Sequence, residues 1–165
     1  MGTRIQKEMT TPADGMLRMP ITLQTSFVFV RPHYPENVGA LARAMKVMGL
    51  TRLAIVKPGR IATPSHEMAQ RMAVKSLDVL NGATLHADLA SALGDAGLVL
   101  GTTARRGISG VFQPREAARE AARAVREGLD VAFVFGNEKT GLSEEDRALC
   151  RSLVRMFATW RCTVC

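Results

Sequence analysis

The segment FGNEKTG, residues 135–141, places one acid between two glycines directly after an apolar run. The acid is Glu138, and the glycines are Gly136 and Gly141. One interpretation is a surface acid between turn-forming residues, and the other is a backbone that wraps closely around a ligand. The patterns GxxxxGK[ST] and GxGxxG do not occur in the chain, so neither a phosphate-binding P-loop nor a standard dinucleotide site is indicated.

A second group of candidate residues lies in RPHYPENVGALARAMKVMG, residues 31–49. Asn37 stands where the N-cap of the following helix would be, and a cap would satisfy a free backbone N–H. Arg43 and Lys46 lie outside the apolar face of that helix. They form either a solvated face or a site for a phosphate or a developing charge. Gly39 would let the start of the helix approach another backbone closely.

The segment GTTARRG, residues 101–107, follows another apolar run. Thr102 and Thr103 supply hydroxyl groups, while Arg105 and Arg106 bring two guanidinium groups to the same place. An ordinary polar loop would have this composition too. Paired arginines at the end of a strand nevertheless favour an anionic ligand, because a guanidinium group binds phosphate or carboxylate through two hydrogen bonds.

The elements that must position these segments alternate along the chain after residue 21. Apolar β-type runs predict strands at 26–30, 53–56, near 84–86, 98–100, 131–135 and 153–157. Periodicity and capping residues predict helices over about 37–48, 64–80, 88–93 and 114–127, and from Ser143 onward. This alternation indicates an α/β fold with a mostly parallel sheet and helices on both faces. Ligands bind beyond the carboxyl ends of such strands, where the three segments would meet.

The chain has 165 residues and a formal net charge of +7, which favours a polyanionic partner such as RNA. A merely soluble cationic surface would carry the same charge. The helix at 114–127 bears Arg115, Arg119, Arg123 and Arg126 in one line beside Glu116 and Glu120. That pattern is typical of an exposed face with many ion pairs, and a track for an RNA backbone is the alternative.

We expect no membrane segment, because no apolar run is long enough to span a bilayer. Residues 1–21 have no apolar stretch of the signal-peptide type, so we interpret them as a flexible leader and expect a cytoplasmic protein. We expect no metal, because Cys162 and Cys165 lack a second pair and the three histidines are scattered.

Three blocks of the sequence together resemble the TrmH/TrmJ group of SPOUT RNA methyltransferases. PENVGALARAMKVMGLTRLAIVKP, residues 35–58, resembles the first motif of that group. LVLGTTARRG, residues 98–107, resembles the stretch that follows a central strand, and FVFGNEKTGLSEEDRALC, residues 133–150, resembles the second motif. The blocks occur in the family's order and cover about residues 26–156. The resemblance implies a trefoil-knotted α/β domain that acts as a homodimer.

The resemblance also implies that S-adenosylmethionine donates a methyl group to a ribose 2′-hydroxyl, with a tRNA anticodon-loop nucleotide as the target. Matches to the family's motifs imply catalytic roles for Asn37, Arg43 and Glu138, with Arg43 acting on the target ribose. Positions that match the cofactor lining are Thr102, Thr103, Ala104, Gly136 and Met156. We predict RNA contacts for Arg31, Lys46, Arg105 and Arg106.

The sequence departs from the family after Met156, where it reads FATWRCTVC. The family's third motif, a Ser-Leu-Asn segment that closes over the cofactor, has no counterpart there, and Asn137 stands where the nearest relatives carry Arg. We therefore expect a domain over 22–157, an atypical tail over 158–165 and an incomplete knot. One alternative is a shortened, inactive fragment that binds RNA weakly. Another is a basic interaction module without catalytic function.

Overall fold

A computed structural model of the protein describes residues 21–156. The strands are β1 Thr25–Val30, β2 Arg52–Val56, β3 Thr84–His86, β4 Leu98–Thr103, β5 Val131–Phe135 and β6 Ser152–Arg155. The helices are α1 Pro35–Val47, α2 Glu67–Met72, α3 Leu77–Asn81, α4 Leu89–Leu93, α5 Pro114–Arg126 and α6 Glu144–Ala148. None of these described helices is long and apolar enough to cross a membrane. The tail at 158–165 and nearly all of the leader at 1–21 lie outside the described residues.

The strands form one sheet in the order β3-β2-β1-β5-β4-β6, and every pairing within it is parallel. Strand β1 lies between β2 and β5, and its run of buried apolar residues explains that central position. The prediction of a parallel α/β sheet is confirmed. All carboxyl ends of the strands consequently lie at the same edge.

Helices cover both faces of the sheet, as predicted. Phe29 packs with α1, α2 and α3 on one face, while Val28 and Val30 pack with α4 on the other, because successive side chains of a strand point in opposite directions. Helix α5 packs its alanines against β4, β5 and β6. Gly39 of α1 contacts α2 so closely that a Cβ there would lie 2.0 Å from the carbonyl oxygen of Ala69, which confirms the predicted close approach.

Three local predictions need correction. Helix α1 begins at Pro35 with Tyr34 as its N-cap, so the interpretation of Asn37 as the N-cap is wrong; proline suits the first helical position because its φ is already helical and no N–H is needed there. The predicted helix at 64–80 is two short helices interrupted near Lys75, whose φ is +59°. Strand β4 continues to Thr103, because β6 pairs with its last residues.

Strand β6 lies between β4 and the segment at Phe112. The N–H of Phe112 donates to the carbonyl of Leu153 over 2.8 Å, and the N–H of Arg155 donates to the carbonyl of Phe112 over 2.9 Å. The connection at 104–111 therefore spans from one side of β6 to the other, and Arg155 Nη2 donates to the carbonyl of Ile108 within it. This arrangement brings the end of β6 to the edge where β4 and β5 end. The expectation of an incomplete knot concerns residues outside the described range.

Candidate functional site

A cleft of about 790 Å³ opens at the carboxyl ends of β4, β5 and β6. Its walls are the end of β4 with Ala104 and Arg105, the segment from Phe135 to Leu142, and the side chains of Arg147 and Met156. This volume is within the range of small-molecule sites, which lie at this edge in parallel α/β sheets. All five predicted cofactor positions line the cleft: Thr102, Thr103, Ala104, Gly136 and Met156.

Glu138 joins the loop after β5 to the loop after β1. Its Oε2 accepts the backbone N–H of His33 over 2.8 Å. Its Oε1 accepts the backbone N–H of Tyr34 over 3.2 Å and the amide of Asn37 over 2.9 Å. Burial raises the pKa of Glu138, but these hydrogen bonds outweigh burial and leave the pKa below its ordinary value. Glu138 is thus an ionised link that fixes the start of α1 beside the cleft.

Asn137 shapes the loop that carries Glu138. Its Oδ1 accepts the backbone N–H groups of Lys139 over 2.9 Å and Thr140 over 3.1 Å, and its Nδ2 donates to the carbonyl of Arg31 over 2.6 Å. Sequence reasoning gave Asn137 no role beyond its difference from the relatives. The signal that could have revealed it is an asparagine at the start of a tight turn, where its side chain bonds the backbone two residues ahead.

The two glycines that bracket Glu138 are required by the turn itself. A Cβ on Gly136 would lie 2.3 Å from the carbonyl carbon of Gly141 and 2.4 Å from the nitrogen of Leu142. Gly141 has a φ of +72°, which side chains with a Cβ rarely adopt. The close backbone approach inferred from these glycines exists, but the contacting backbone is that of the same loop.

Arg31 and Asp146 form a second link between the loop after β1 and the chain after β5. Arg31 Nη2 pairs with Asp146 Oδ2, and that oxygen also accepts from the backbone and hydroxyl of Ser143 in a capping box for α6. Burial raises the pKa of Asp146, but the bonds from Arg31 and Ser143 outweigh it and keep the pKa low. The predicted RNA ligand Arg31 is therefore engaged within the protein.

Two of the predicted cofactor residues use their hydroxyl groups within the protein. Thr102 Oγ1 donates to the carbonyl of Val134 over 3.1 Å, and Thr103 Oγ1 accepts the backbone N–H of Arg105 over 3.2 Å. Both threonines belong to β4 rather than to a loop. What they and Ala104 offer the cleft is therefore mainly the backbone at the end of the strand.

The remaining predicted residues do not all reach the cleft. Arg105 lines it, whereas Arg106 is an exposed neighbour on the same loop. Lys46 pairs with Asp78 of α3, and the hydrogen bond from Lys46 lowers the pKa of Asp78. Arg43 is exposed on α1 and does not line the cleft. Within residues 21–156 no group of three or more His, Cys, Asp and Glu side chains could hold a metal ion.

The parallel sheet, the β6 strand enclosed by the 104–111 connection and the cleft at the carboxyl edge define the α/β fold of the SPOUT methyltransferases. The expected fold class is thereby confirmed. Residues 24–159 match the family described as "SpoU rRNA Methylase family". The chain belongs to this family.

The chain is also similar to curated proteins of the TrmJ group. It is 38% identical over 125 residues to the tRNA (cytidine/uridine-2′-O-)-methyltransferase TrmJ of Photorhabdus laumondii. The matched region covers 74% of this chain and 50% of that protein. It is 37% identical over 126 residues to the tRNA (cytidine/uridine/adenosine-2′-O-)-methyltransferase TrmJ of Pseudomonas aeruginosa, with 75% and 48% covered. The chain thus spans about half the length of the curated relatives it matches.

Solved structures give the same result. A putative methylase family protein from Neisseria gonorrhoeae superposes with a TM-score of 0.75 at 32% identity, covering 90% of this chain and 76% of that one. TrmJ from Z. mobilis ZM4 superposes with a TM-score of 0.70 at 32% identity, covering 81% and 58%. The resemblance to TrmJ-type SPOUT methyltransferases is therefore confirmed.

Proposed function

We propose that the protein transfers a methyl group from S-adenosylmethionine to a ribose 2′-hydroxyl of tRNA, at a nucleotide of the anticodon loop. The observation that carries this proposal is the link between the three loops. The chain segments after β4 and β5 line one cleft, and Glu138 in its wall bonds to Asn37, so the loop after β1 is tied to that cleft although none of its residues lines it. The relatives named as tRNA 2′-O-methyltransferases support tRNA as the substrate. A cytoplasmic location is part of the same proposal.

The residues of the cleft fit the proposed cofactor. Phe135, Leu142 and Met156 offer apolar surface for the adenine, and the backbone of Ala104 and Arg105 offers polar groups at its edge. S-adenosylmethionine would supply an electrophilic methyl group on a sulfonium. The chain's part is to bind that molecule at the edge of the sheet and to hold the ribose hydroxyl beside it.

A ribose hydroxyl is a weak nucleophile at neutral pH, so orientation and charge stabilisation must assist it. Glu138 and Asn37 contribute by position, because Glu138 uses both carboxylate oxygens to hold the loop after β1. We assign Arg43 to the ribose and its phosphate. A guanidinium group stays protonated and can stabilise developing negative charge, but it is a poor general base.

Arg43 does not line the cleft of its own chain, and it lies about 9 Å along α1 from Asn37. The homodimer implied by the family resemblance would resolve this separation if α1 of one protomer packed near the cleft of its partner. In support, Val47, one turn beyond Arg43, is 84% exposed, and Met48 is also exposed. Light scattering should detect a dimer that Val47→Asp dissociates; a monomeric wild type would oppose this part of the proposal.

The comparisons do not favour the alternative of an inactive RNA-binding fragment, because the similar proteins are named as methyltransferases. The decisive experiment is incubation of the chain with an unmodified tRNA transcript and methyl-tritiated S-adenosylmethionine. Alkaline hydrolysis should leave the label in dinucleotides, because a 2′-O-methyl group blocks cleavage at that position. Absence of labelled tRNA, together with absence of cofactor binding by calorimetry, would refute the proposal.

A further inference from the structure

Three side chains at the mouth of the cleft contact one another, and we call His33, Tyr34 and Lys139 the rim cluster. The rings of His33 and Tyr34 meet edge to face with centroids 4.7 Å apart. Lys139 Nζ lies 2.9 Å from His33 Nε2 and 5.2 Å from the centroid of the Tyr34 ring. Since an ammonium group only donates hydrogen bonds, His33 Nε2 is the acceptor.

The backbone beneath the rim cluster is fixed from both sides. The N–H groups of His33 and Tyr34 bond to Glu138, and the N–H of Lys139 bonds to Asn137. Tyr34 also precedes the first turn of α1 as its N-cap. Hydrogen bonds therefore fix the backbone that carries the two rings, and this lowers the entropy lost when a ligand binds to them.

Tyr34 is exceptional among the aromatic residues that the structure describes. The five described phenylalanines are buried or half-buried, whereas Tyr34 is 41% exposed. Its neighbour Lys139 lies over the ring and also lines the cleft, whose lining includes Arg105 and Arg147 as well. An exposed aromatic ring next to positive charge is the combination by which proteins bind unpaired nucleotides, since bases stack on the ring and phosphates pair with the cations.

We propose that the rim cluster is the binding site for the target nucleotide, with its base stacked on Tyr34 and the adjoining phosphate bound by Lys139. This inference rests on the proposed function, because it adds the substrate side to the same cleft. Binding would replace the contact between Lys139 and the Tyr34 ring with a contact between Lys139 and phosphate. Stacking accepts any base, so the site would select an unpaired nucleotide rather than a particular sequence.

The first test is steady-state methylation of an unmodified tRNA transcript by side-chain variants. Tyr34→Ala should raise the KM for tRNA about tenfold or more, the effect typical of losing one stacked base, while Tyr34→Phe should behave like the wild type. Lys139→Gln should raise that KM and weaken its salt dependence. The affinity for S-adenosylmethionine, measured by calorimetry, should change little in any of these variants.

Matched controls separate this role from a structural one. Leu129 is also 41% exposed but precedes β5 at the opposite edge of the sheet, so Leu129→Ala tests the loss of an exposed apolar side chain. Lys75→Gln removes the same charge as Lys139→Gln outside the cleft. A KM for tRNA that is unchanged in Tyr34→Ala, or raised equally in Leu129→Ala, would overturn the inference.

The second test does not depend on turnover. Ultraviolet irradiation of the chain with the same tRNA transcript should crosslink RNA to Tyr34, the only tyrosine in the sequence, and mass spectrometry of the digested complex would locate the crosslink. If tRNA crosslinks at Tyr34 but is not methylated, the proposed function fails, and the rim cluster is an RNA-binding site without a methylation target. If tRNA is methylated and crosslinks only at other residues, the inference fails alone.

Discussion

Replacing Glu138 with glutamine would test whether one carboxylate holds the two loops of the cleft together. In the wild type, Oε1 accepts from Tyr34 and Asn37, and Oε2 accepts from the N–H of His33. Glutamine keeps one acceptor oxygen but places an NH₂ group at the second position. If the oxygen keeps its bonds to Tyr34 and Asn37, the NH₂ group faces the N–H of His33, and that donor loses its partner.

The expected loss of stability follows from the hydrogen bonds that Glu138 accepts. A hydrogen bond to a charged group contributes about 1.5–3 kcal/mol when it is buried, but Glu138 is exposed and solvent screens part of that contribution. We expect Glu138→Gln to lower the free energy of unfolding by about 1–2 kcal/mol at neutral pH. The position of Glu138 before the N-terminus of α1 favours a negative charge and acts in the same direction.

The difference in free energy of unfolding between the wild type and Glu138→Gln should depend on pH. The folded pKa of Glu138 lies below its ordinary value of 4.5, so the ionised carboxylate stabilises the folded state. That stabilisation is complete above about pH 4.5 and is lost as the pH falls through the lower folded pKa. The advantage of the wild type over Glu138→Gln should therefore be constant near neutrality and should shrink in acid.

Urea denaturation followed by circular dichroism, at neutral pH and at several acidic pH values, would measure this difference. Glu145→Gln is the matched control, because Glu145 is exposed and accepts no hydrogen bond from another described side chain or backbone group. Equal free energies of unfolding for the two variants, or a gap between wild type and Glu138→Gln that grows in acid, would refute the assignment of Glu138 as an ionised link between the loops.

Four further outcomes are expected. Gly136→Ala should abolish calorimetric binding of S-adenosylmethionine, because the new Cβ would collide with the backbone of Gly141; normal binding would contradict the required close approach. Arg31→Ala should lower the free energy of unfolding by about 2–3 kcal/mol, measured by urea denaturation, because Asp146 would stay largely buried without its partner; a loss below about 0.5 kcal/mol would argue against that link. Arg43→Ala should abolish methyl transfer to tRNA with nearly unchanged cofactor binding, and full activity would remove Arg43 from catalysis. The affinity for tRNA in a filter-binding assay should fall steeply as salt rises, whereas a flat response would reject phosphate contacts.

The strands were predictable because their apolar runs are local and continuous. The run at 131–135 is the strand β5 at the predicted bounds, and the strand near 84–86 and the helix over about 88–93 are also confirmed. Elements whose limits depend on a distant partner were less predictable. Strand β4 extends to Thr103 only because β6 pairs with it, and β6 is contributed by residues about fifty positions later in the chain.

The candidate site was likewise predictable only in part. The sequence identified Glu138 and Gly136 as candidates from their types and their place after a strand, whereas Asn37 became a candidate only through the resemblance to the family's first motif. It did not show that Asn37 bonds to Glu138, a contact across 101 residues of sequence, or that Arg31 pairs with Asp146 across 115 residues. Nor did it show that Lys46 and Arg31, two cations predicted to contact RNA, form ion pairs with Asp78 and Asp146 of the same chain.

By itself, the sequence determined the alternation of strands and helices, the parallel sheet and the edge at which a ligand would bind, because each follows from local apolar patterns and from strand direction. Only the tertiary structure decided which polar groups face the cleft and which are used to hold it together. The roles of these polar groups depend on pairings between residues more than a hundred positions apart. The tertiary structure also places Tyr34 and Lys139 side by side at the rim, which no local sequence pattern predicts.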